Sequence, residues 1–202
     1  MRIFLTLLLC SILFSCHDPK RDYPIPNKKD IDEVVKTVIV RYDSPGLVIN
    51  GKPDTTKYSS LNSFPLSVDL AKVRVTSSEP GFTYTVNIND LINPLRTFHF
   101  NKTDYNYLLF QNDTLRHFKI NKGLISKRLF TSDAERKNER DKGRRLVRFY
   151  EVSIPIFSLN QQEAYVQFNI YLGFELGGGY AFILRKINGN WTIVQQWITW
   201  KT

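Results

Sequence analysis

The chain has 202 residues, of which 42% are hydrophobic and 13% aromatic. That length favours one domain, and the composition excludes a disordered or collagen-like protein because it suffices to bury a core. The net charge of +9, from 28 basic and 19 acidic side chains, favours association with an acidic surface such as phospholipid head groups or an acidic protein.

The amino terminus has the pattern of a secretory signal peptide. Met1 and Arg2 precede a run without charges, IFLTLLLCSILFSC, that ends at Cys16. This apolar run is shorter than the roughly 20 residues that a membrane-spanning helix needs, but it matches the apolar region of a signal peptide. We therefore interpret residues 1–15 as a targeting segment, whose removal leaves a net charge of +8.

The end of this segment resembles the lipobox of bacterial lipoproteins. Leu13 stands three positions before Cys16, the small Ser15 directly precedes the cysteine, and the polar stretch HDPKRD follows it. In that family the cysteine thiol receives a diacylglyceryl group, and the new amino terminus is acylated after cleavage. The resemblance implies a membrane-anchored lipoprotein of the bacterial cell envelope that faces the periplasm or the cell surface. This location in the cell envelope argues against nucleic acid as a partner. The alternative is an ordinary signal peptide with an incidental cysteine.

Residues 16–29 are predicted to be the lipidated cysteine and a proline-containing tether, and a single globular domain follows over residues 30–202. The domain begins with an amphipathic helix, which Asp30 and Glu33 open in the manner of a capping box. Its apolar residues have the i, i+3, i+4, i+7 spacing of one buried face. They are Ile31, Val34, Val35, Val38, Ile39 and Tyr42.

Shorter signals follow. Asn50-Gly51 predicts a hairpin turn, and the alternation of FTYTVNIN (82–89) predicts a strand. Residues 103–120 fit either a short helix with Thr103 as its N-cap or a hairpin, and we favour the helix. SDAE at 132–135 is a capping box that opens a helix with polar residues on every side. Nine basic and four acidic side chains mix over residues 127–148, which is more typical of a solvated helix than of a patch for anionic lipid or an acidic partner.

The carboxyl-terminal quarter predicts a four-stranded antiparallel meander over about residues 146–200. YEVSIPIF and AYVQFNIYL alternate between one apolar and one polar side, as strands with one buried face do. YAFILRKI and NWTIVQQWITW are joined by Asn188-Gly189, which suits a type I′ turn. The prediction is an α+β fold in which the N-terminal amphipathic helix packs on an antiparallel sheet.

The same turn sets a register for the last two strands. Counting back from it places Leu184 opposite Ile193 and Tyr180 opposite Trp197. On this count Trp191 and Trp197 share one face of the strand. Aromatic rings on a sheet are more often core than binding platform, but these two tryptophans are the candidate interaction surface on this strand.

No catalytic or metal-binding template fits the sequence. With Cys10 in the targeting segment and Cys16 acylated, no thiol is left for a disulfide, a metal or a nucleophile. The sequence contains no H-E-x-x-H and no G-x-S-x-G motif. We therefore expect no cofactor, no metal and no catalytic residue. A hydrolase would have to draw its carboxylates from Glu151, Glu163 and Glu175.

The stretch GFELGGGYAF (173–182) raises the question of an anion-binding loop. It lacks the lysine and the following helix of phosphate-binding loops, so the glycines predict a hairpin corner with positive φ angles. Glu175 in this corner is a third candidate contact for a partner.

The segment from IPIFSLNQQEAYVQ to the final NGNWTIVQQWITW, together with the lipobox and LISKRLF at 124–130, resembles a family of uncharacterised bacterial envelope lipoproteins. Leu172 and Leu176 stand where many relatives have cysteines, so the resemblance implies no disulfide here. The early helix and terminal sheet also resemble NTF2-like cones. The lipoprotein family has no assigned activity, and we expect a non-catalytic binding or interaction module. The alternatives are an immunity-type protein that sequesters a toxin, or a hydrolase with an unrecognised carboxylate site.

Overall fold

A computed structural model describes residues 22–43, 48–49, 52–53, 64–78, 84–95, 97, 99–115, 117–125, 129–143, 148–173 and 176–202. The predicted targeting segment, Cys16 and Glu175 lie outside these ranges. The helices are α1 (Lys28–Asp43), α2 (Ile88–Leu91), α3 (Tyr105–Thr114) and α4 (Asp133–Asp141), with single 3₁₀ turns at Lys102–Asp104 and Lys122–Leu124. The strands are β1 (Val48–Ile49), β2 (Lys52–Pro53), β3 (Leu66–Ser67), β4 (Arg74–Thr76), β5 (Thr85–Asn87), β6 (Phe130–Thr131), β7 (Phe149–Val152), β8 (Ile156–Phe157), β9 (Glu163–Gly173), β10 (Leu176–Ile187) and β11 (Asn190–Lys201).

The main sheet has the strand order β11-β10-β9-β7-β3-β6, and β8 also pairs with β9. Strands β7 to β11 pair antiparallel, which confirms the α+β fold and its C-terminal meander. The first predicted strand is interrupted between β7 and β8, where Pro155 has no N–H to donate. The sheet is also not purely antiparallel, because β3 pairs in parallel with both β6 and β7.

Helix α1 covers one face of this sheet. All six residues of its predicted apolar face are buried, and they pack against sheet residues that include Val166, Phe168 and Leu184. The predicted capping box is wrong, because the helix begins two residues earlier than Asp30. Asn27 caps it instead, since its Oδ1 accepts a hydrogen bond from the amide of Asp30 at 2.8 Å.

The other face of the sheet is buried as well, which the alternation of the strands did not predict. Tyr165, Gln167 and Asn169 were expected on a polar side, but each is at least 97% buried. A second core lies above them. Its residues from outside the meander are Val73, Val75, Val86, Ile88, Leu91, Phe100 and Leu108. The domain therefore has three layers, with α1 on one side and a small layer of β4, β5, α2 and α3 on the other.

Several shorter predictions fall in this second layer. The strand expected over residues 82–89 is limited to β5, because Ile88 already begins α2, where Asn87 accepts a hydrogen bond from the amide of Asn89. Residues 105–114 are helical, as favoured, but Thr103 is not the N-cap, because it lies inside the preceding 3₁₀ turn Lys102–Asp104. The predicted hairpin at Asn50-Gly51 has its flanking strands in place, with Ile49 paired to Lys52. The turn residues themselves lie outside the described ranges.

The capping box at the start of α4 is confirmed. Ser132 Oγ accepts a hydrogen bond from the amide of Glu135, and the Glu135 carboxylate accepts one from the amide of Ser132. The expectation that this helix is solvated all round is wrong at one position. Arg136 is only 5% exposed and lies against the main sheet.

Two β-bulges change the predicted register of β11. Ile187 pairs with Asn190 and Leu184 with Ile193, as the turn predicts, but Val194 has no partner and shifts everything beyond it. Tyr180 therefore pairs with Ile198, and Trp197 with Ala181. The prediction of one shared face for two tryptophans is wrong.

Candidate functional site

An open groove runs between α1 and the outer strand β11. It has a volume of about 600 Å³, and its walls are Thr37, Val40 and Arg41 from the helix and the six consecutive strand residues 191–196. Its size lies within the range of about 300–1,000 Å³ that is common for binding sites. The groove follows the edge of the main sheet, since β11 is its terminal strand.

The backbone of β11 presents free hydrogen-bonding groups to this groove. Ile187 and Asn190 flank a two-residue turn and exchange hydrogen bonds, so the next pair, Lys186 and Trp191, does not. Consistently, the amide of Lys186 turns the other way and donates to Gln162 O at 2.8 Å. The backbone N–H and C=O groups of Trp191 therefore point outward from the sheet. Those of Ile193, two residues later in the strand, do the same. By this alternation, neither outward amide of the described strand donates to β10.

The indole of Trp191 does not line the surface as expected. It is 6% exposed, packs edge-on against Phe157, and donates through Nε1 to Asp30 Oδ1 at 3.1 Å. Lys186 Nζ donates to the same oxygen at 2.7 Å. What Trp191 offers a partner is consequently its backbone.

Asp30 joins the first turn of α1 to the β10–β11 hairpin. Burial raises the pKa of its carboxyl group, but hydrogen bonds from Lys186, Trp191 and Asn27 outweigh burial and leave the pKa below its ordinary value. Asp30 is thus a charged, fully bonded group that fixes one end of the groove. The sequence predicts only a helix cap for Asp30, because its partner Lys186 is 156 residues away.

Trp197 and Trp200 lie on the opposite face of β11 from Trp191. Trp197 is half-buried, with its ring 6.0 Å from that of Tyr165. The indole of Trp200 crosses β10 and donates to Asn169 Oδ1 at 2.9 Å. A methyl group on Gly179 would overlap this indole ring.

The glycine-rich stretch therefore has two roles. Gly173, with φ of 117°, stands at the predicted hairpin corner and pairs with Leu176. Gly177 to Gly179 belong to β10 and lack positive φ angles, contrary to prediction. Gly177 and Gly179 leave room for the Trp200 ring. Glu175 lies outside the described ranges, so its role as a partner contact stays a prediction.

A buried polar cluster on the same face as Trp200 is the second candidate site. It joins Glu151 of β7, Arg136 of α4, Tyr171 of β9 and Tyr84. The hydroxyl group of Tyr84 donates to the Glu151 carboxylate and lies 2.8 Å from that of Tyr171. Arg136 pairs with Asp133 and lies 3.6 Å from Glu151 Oε1.

Burial dominates the electrostatics of this cluster. It raises the pKa of Glu151, against the hydrogen bonds from Tyr84 and Arg136, and it raises the pKa values of Tyr84 and Tyr171. Shifted pKa values mark candidate active sites, but structural networks produce them too. Here the Glu151 oxygens already have partners, and the side chain is 13% exposed. The contacts favour a role in holding α4 and the β4–β5 layer on the sheet.

From the sequence, Glu151 was only one of three carboxylates that a hydrolase could use. The signal for its neighbours was the alternation of β7 and β9, which places Glu151, Phe149 and Tyr171 on one face. Arg136 lies 4.2 Å from the centre of the Phe149 ring, which stacks on Tyr171 at 4.6 Å. Nothing local in the sequence indicated that α4 would supply a buried cation.

Glu163, the other carboxylate considered for a hydrolase, lies elsewhere on the sheet and pairs with Arg185, at 3.3 Å from Nε. Among the described residues, no group of three or more His, Cys, Asp or Glu side chains could hold a metal ion. Within the same ranges, no helix is both long enough and apolar enough to cross a bilayer.

Comparisons with known proteins do not add a relative, because no family model, curated protein or solved structure matches this chain. The resemblances to envelope lipoproteins and to NTF2-like cones therefore stay predictions.

Proposed function

We propose that this chain is a lipid-anchored protein of the bacterial cell envelope that acts as a non-catalytic binding module and docks a protein partner in the groove between α1 and β11. The observation that carries the binding role is the open edge of β11, where unpaired backbone groups line a groove. Edge strands of this kind are sites of protein association unless they are covered. The anchoring role rests on the lipobox-like sequence that ends at Cys16.

The anchor is tested by labelling with a fatty acid. Cells that express the full chain are grown with labelled palmitate, and we expect the protein to take up label and to sediment with membranes. Cys16→Ser should abolish the label and release the protein, because one or more acyl chains supply its membrane affinity. Cys10→Ser is the matched control and should change neither result. Label that survives Cys16→Ser would contradict lipidation at this residue.

The docking surface is tested by charge reversal on the two opposite sides of the sheet. A photo-crosslinking residue at Gln196, in the groove, is combined with Arg41→Glu in one chain and with Lys137→Glu in another. Lys137 is an exposed residue of α4, which packs over β7 on the face of the sheet opposite to α1. We expect Arg41→Glu to abolish the crosslinked species and Lys137→Glu to preserve it. The reverse result would assign docking to the basic surface of α4 instead.

An immunity-type protein that sequesters a toxin is the first alternative, and it would use the same groove. Such a protein would bind a single partner, so this alternative predicts one crosslinked species of high affinity.

The hydrolase alternative would depend on Glu151, whose raised pKa is the one feature in its favour. It predicts that Glu151→Gln abolishes a hydrolytic activity that the groove variant Arg41→Glu retains.

A further inference from the structure

We infer that the groove receives an extended, acidic peptide segment, which joins the main sheet as a further strand beside β11. This inference rests on the proposed function, because it takes the groove as the docking site and names what enters it. Three features carry it: the outward backbone groups of β11, the shape of the groove, and the charge of its walls.

The backbone groups select an extended partner. The N–H and C=O groups of Trp191 and Ile193 repeat every second residue along the open edge, and a partner can satisfy them in series only if it is itself a strand. Peptides that add to a sheet edge gain their affinity from such main-chain hydrogen bonds and their specificity from pockets for alternate side chains.

The shape of the groove agrees with this mode. It accompanies six residues of β11, which is about 20 Å of extended chain. The helix wall places Val40, which is 51% exposed, beside the strand. Every second side chain of an added strand would face this wall, so an apolar residue there would cover Val40. The other side chains would point to the opposite face of the sheet.

The charge of the walls favours a partner with a carboxylate. Arg41 is the single charged side chain among the nine groove residues. Lys36 lies one turn before Val40 and is exposed. Glu33, one turn before Thr37, already pairs with Lys29 at 3.8 Å. The helix side of the groove therefore offers positive charge to an incoming chain.

The same charge argues against a second copy of this chain. In a symmetric dimer each interface residue recurs on both sides of the axis. Pairing of β11 with β11 would bring two copies of Arg41 into one interface, and no groove residue supplies a carboxylate to either. A dimer through this edge would thus add like charges to an already basic protein.

The test uses a blocked heptapeptide of alternating residues, Thr-Val-Thr-Glu-Thr-Val-Thr, and a matched peptide with Lys in place of Glu. The full chain is labelled with ¹⁵N in tryptophan, isoleucine and threonine, and amide exchange is followed by NMR. We expect the Glu peptide to slow exchange at Trp191 and Ile193 by about tenfold or more, and to leave Thr192, which bonds to β10, unchanged. We expect the Lys peptide to bind at least about tenfold more weakly, and Arg41→Glu to reverse this preference.

The outcomes separate this inference from the proposed function. If the Glu peptide shifts signals of groove residues without protecting the two outward amides, strand addition is wrong while docking in the groove stands. Equal binding of the two peptides would overturn the acidic assignment. If neither peptide has any effect, the inference is overturned. The crosslinking experiment at Gln196 then decides the proposed function independently. A concentration-dependent dimer that Arg41→Glu strengthens would assign the edge to a second copy.

Discussion

Asp30 and Glu151 are two buried carboxylates whose surroundings shift their pKa values in opposite directions. Asp30 receives three hydrogen-bond donors, one of them the cation Lys186, and these outweigh its burial. Glu151 has the hydroxyl group of Tyr84 and the more distant Arg136, and its burial dominates. The stabilising contributions of the two residues therefore depend on pH in opposite directions: that of Glu151 is lost as the pH rises, and that of Asp30 is lost as the pH falls.

The raised pKa of Glu151 predicts a pH-dependent effect of Glu151→Gln. The folded protein holds this proton more tightly than the unfolded chain, where the pKa is about 4.5. The stabilising contribution is present below that value and is lost as the pH rises through the folded pKa. Glutamine keeps the shape and does not titrate. The unfolding free energy of the variant, relative to that of the natural chain, should thus increase in urea titrations as the pH rises above about 4.5.

Glu163→Gln is the matched control for this measurement, because Glu163 is a carboxylate of the same sheet with its own cationic partner. A difference between Glu151→Gln and the natural chain that stays constant with pH would show that Glu151 does not titrate with a raised pKa.

Gly179→Ala should destabilise the protein through Trp200. The new methyl group would occupy the space of the indole ring, so the ring must move and its hydrogen bond to Asn169 is lost. Overpacking of this kind costs about 1–3 kcal/mol. Gly178→Ala is the control, since the nearest atom to its methyl group would be 3.6 Å away. Urea unfolding should show a change within about 0.5 kcal/mol for the control; equal effects of the two substitutions would exclude the contact with Trp200 as the cause.

At the scale of elements, α1 and the β10–β11 hairpin depend on each other. The helix supplies one wall of the groove and the hairpin the other, and Asp30 connects them at one end. At the other end of the helix, Arg41 makes no comparable bond to β11 among the residues that the structure describes. The width of the groove is therefore fixed near Trp191.

Asp30→Ala should weaken this connection. It leaves Lys186 and the Trp191 indole without their acceptor, and the loss of one member of a buried charged pair costs about 3–5 kcal/mol. We expect about 2–4 kcal/mol in chemical unfolding, because Lys186 is 25% exposed. Asp32→Ala, which removes a pair with the exposed Lys28, should cost about 0.5 kcal/mol or less.

The pH dependence of Asp30→Ala has the opposite sign to that of Glu151→Gln. The pKa of Asp30 is lowered in the folded protein, so its contribution is present above the unfolded value of 3.8 and is lost as the pH falls through the folded pKa. The destabilisation by Asp30→Ala should shrink in acid below about pH 3.8. A destabilisation that grows in acid would contradict the lowered pKa.

At the scale of the whole molecule, the three layers predict where hydrogen exchange is slowest. Strands β9 and β10 are central in the sheet and are covered on both faces over residues 164–168 and 181–184, which are buried throughout. Exchange of these amides should require global unfolding. The exposed residues of α4 have few contacts and should exchange faster. Faster exchange in β9 than in α4, measured by mass spectrometry of peptide fragments, would be incompatible with this arrangement.

The parts of the fold that follow from local patterns were predictable, and those that depend on distant contacts were not. The 3.6-residue period of Ile31 to Tyr42 identified the buried face of α1, and Asn188-Gly189 identified the last hairpin. The burial of Gln167 and Asn169 could not be read from alternation, because it results from a layer that residues 73–108 form much earlier in the chain. Alternation reports polarity, and each of these polar residues is buried with a hydrogen-bond partner: Gln167 donates to the Tyr165 hydroxyl group, and Asn169 Oδ1 accepts from the Trp200 indole.

The candidate site divides in the same way. Trp191 was predicted to contact a partner through its side chain. In the structure its backbone groups face the groove instead, and their direction depends on the strand register set by the turn. The cluster around Glu151 joins four separate segments, and only Glu151 on β7 and Tyr171 on β9 had a local signal, which was the alternation of their strands. Arg136 is buried because Phe149 and Glu151 lie beneath α4, which no property of the helix sequence reveals.

The bulge at Val194 has a consequence for the comparison of related sequences. Five residues separate Trp191 from Trp197, and one of them, Val194, has no partner on β10. A relative that lacks Val194 would have four residues in this interval and a regular ladder, and its tryptophans would still point to opposite faces. The spacing between the two tryptophans is therefore a marker of strand geometry that can be read from sequence alone. An alignment of homologues should accept a one-residue gap here more readily than within the paired stretch of β10.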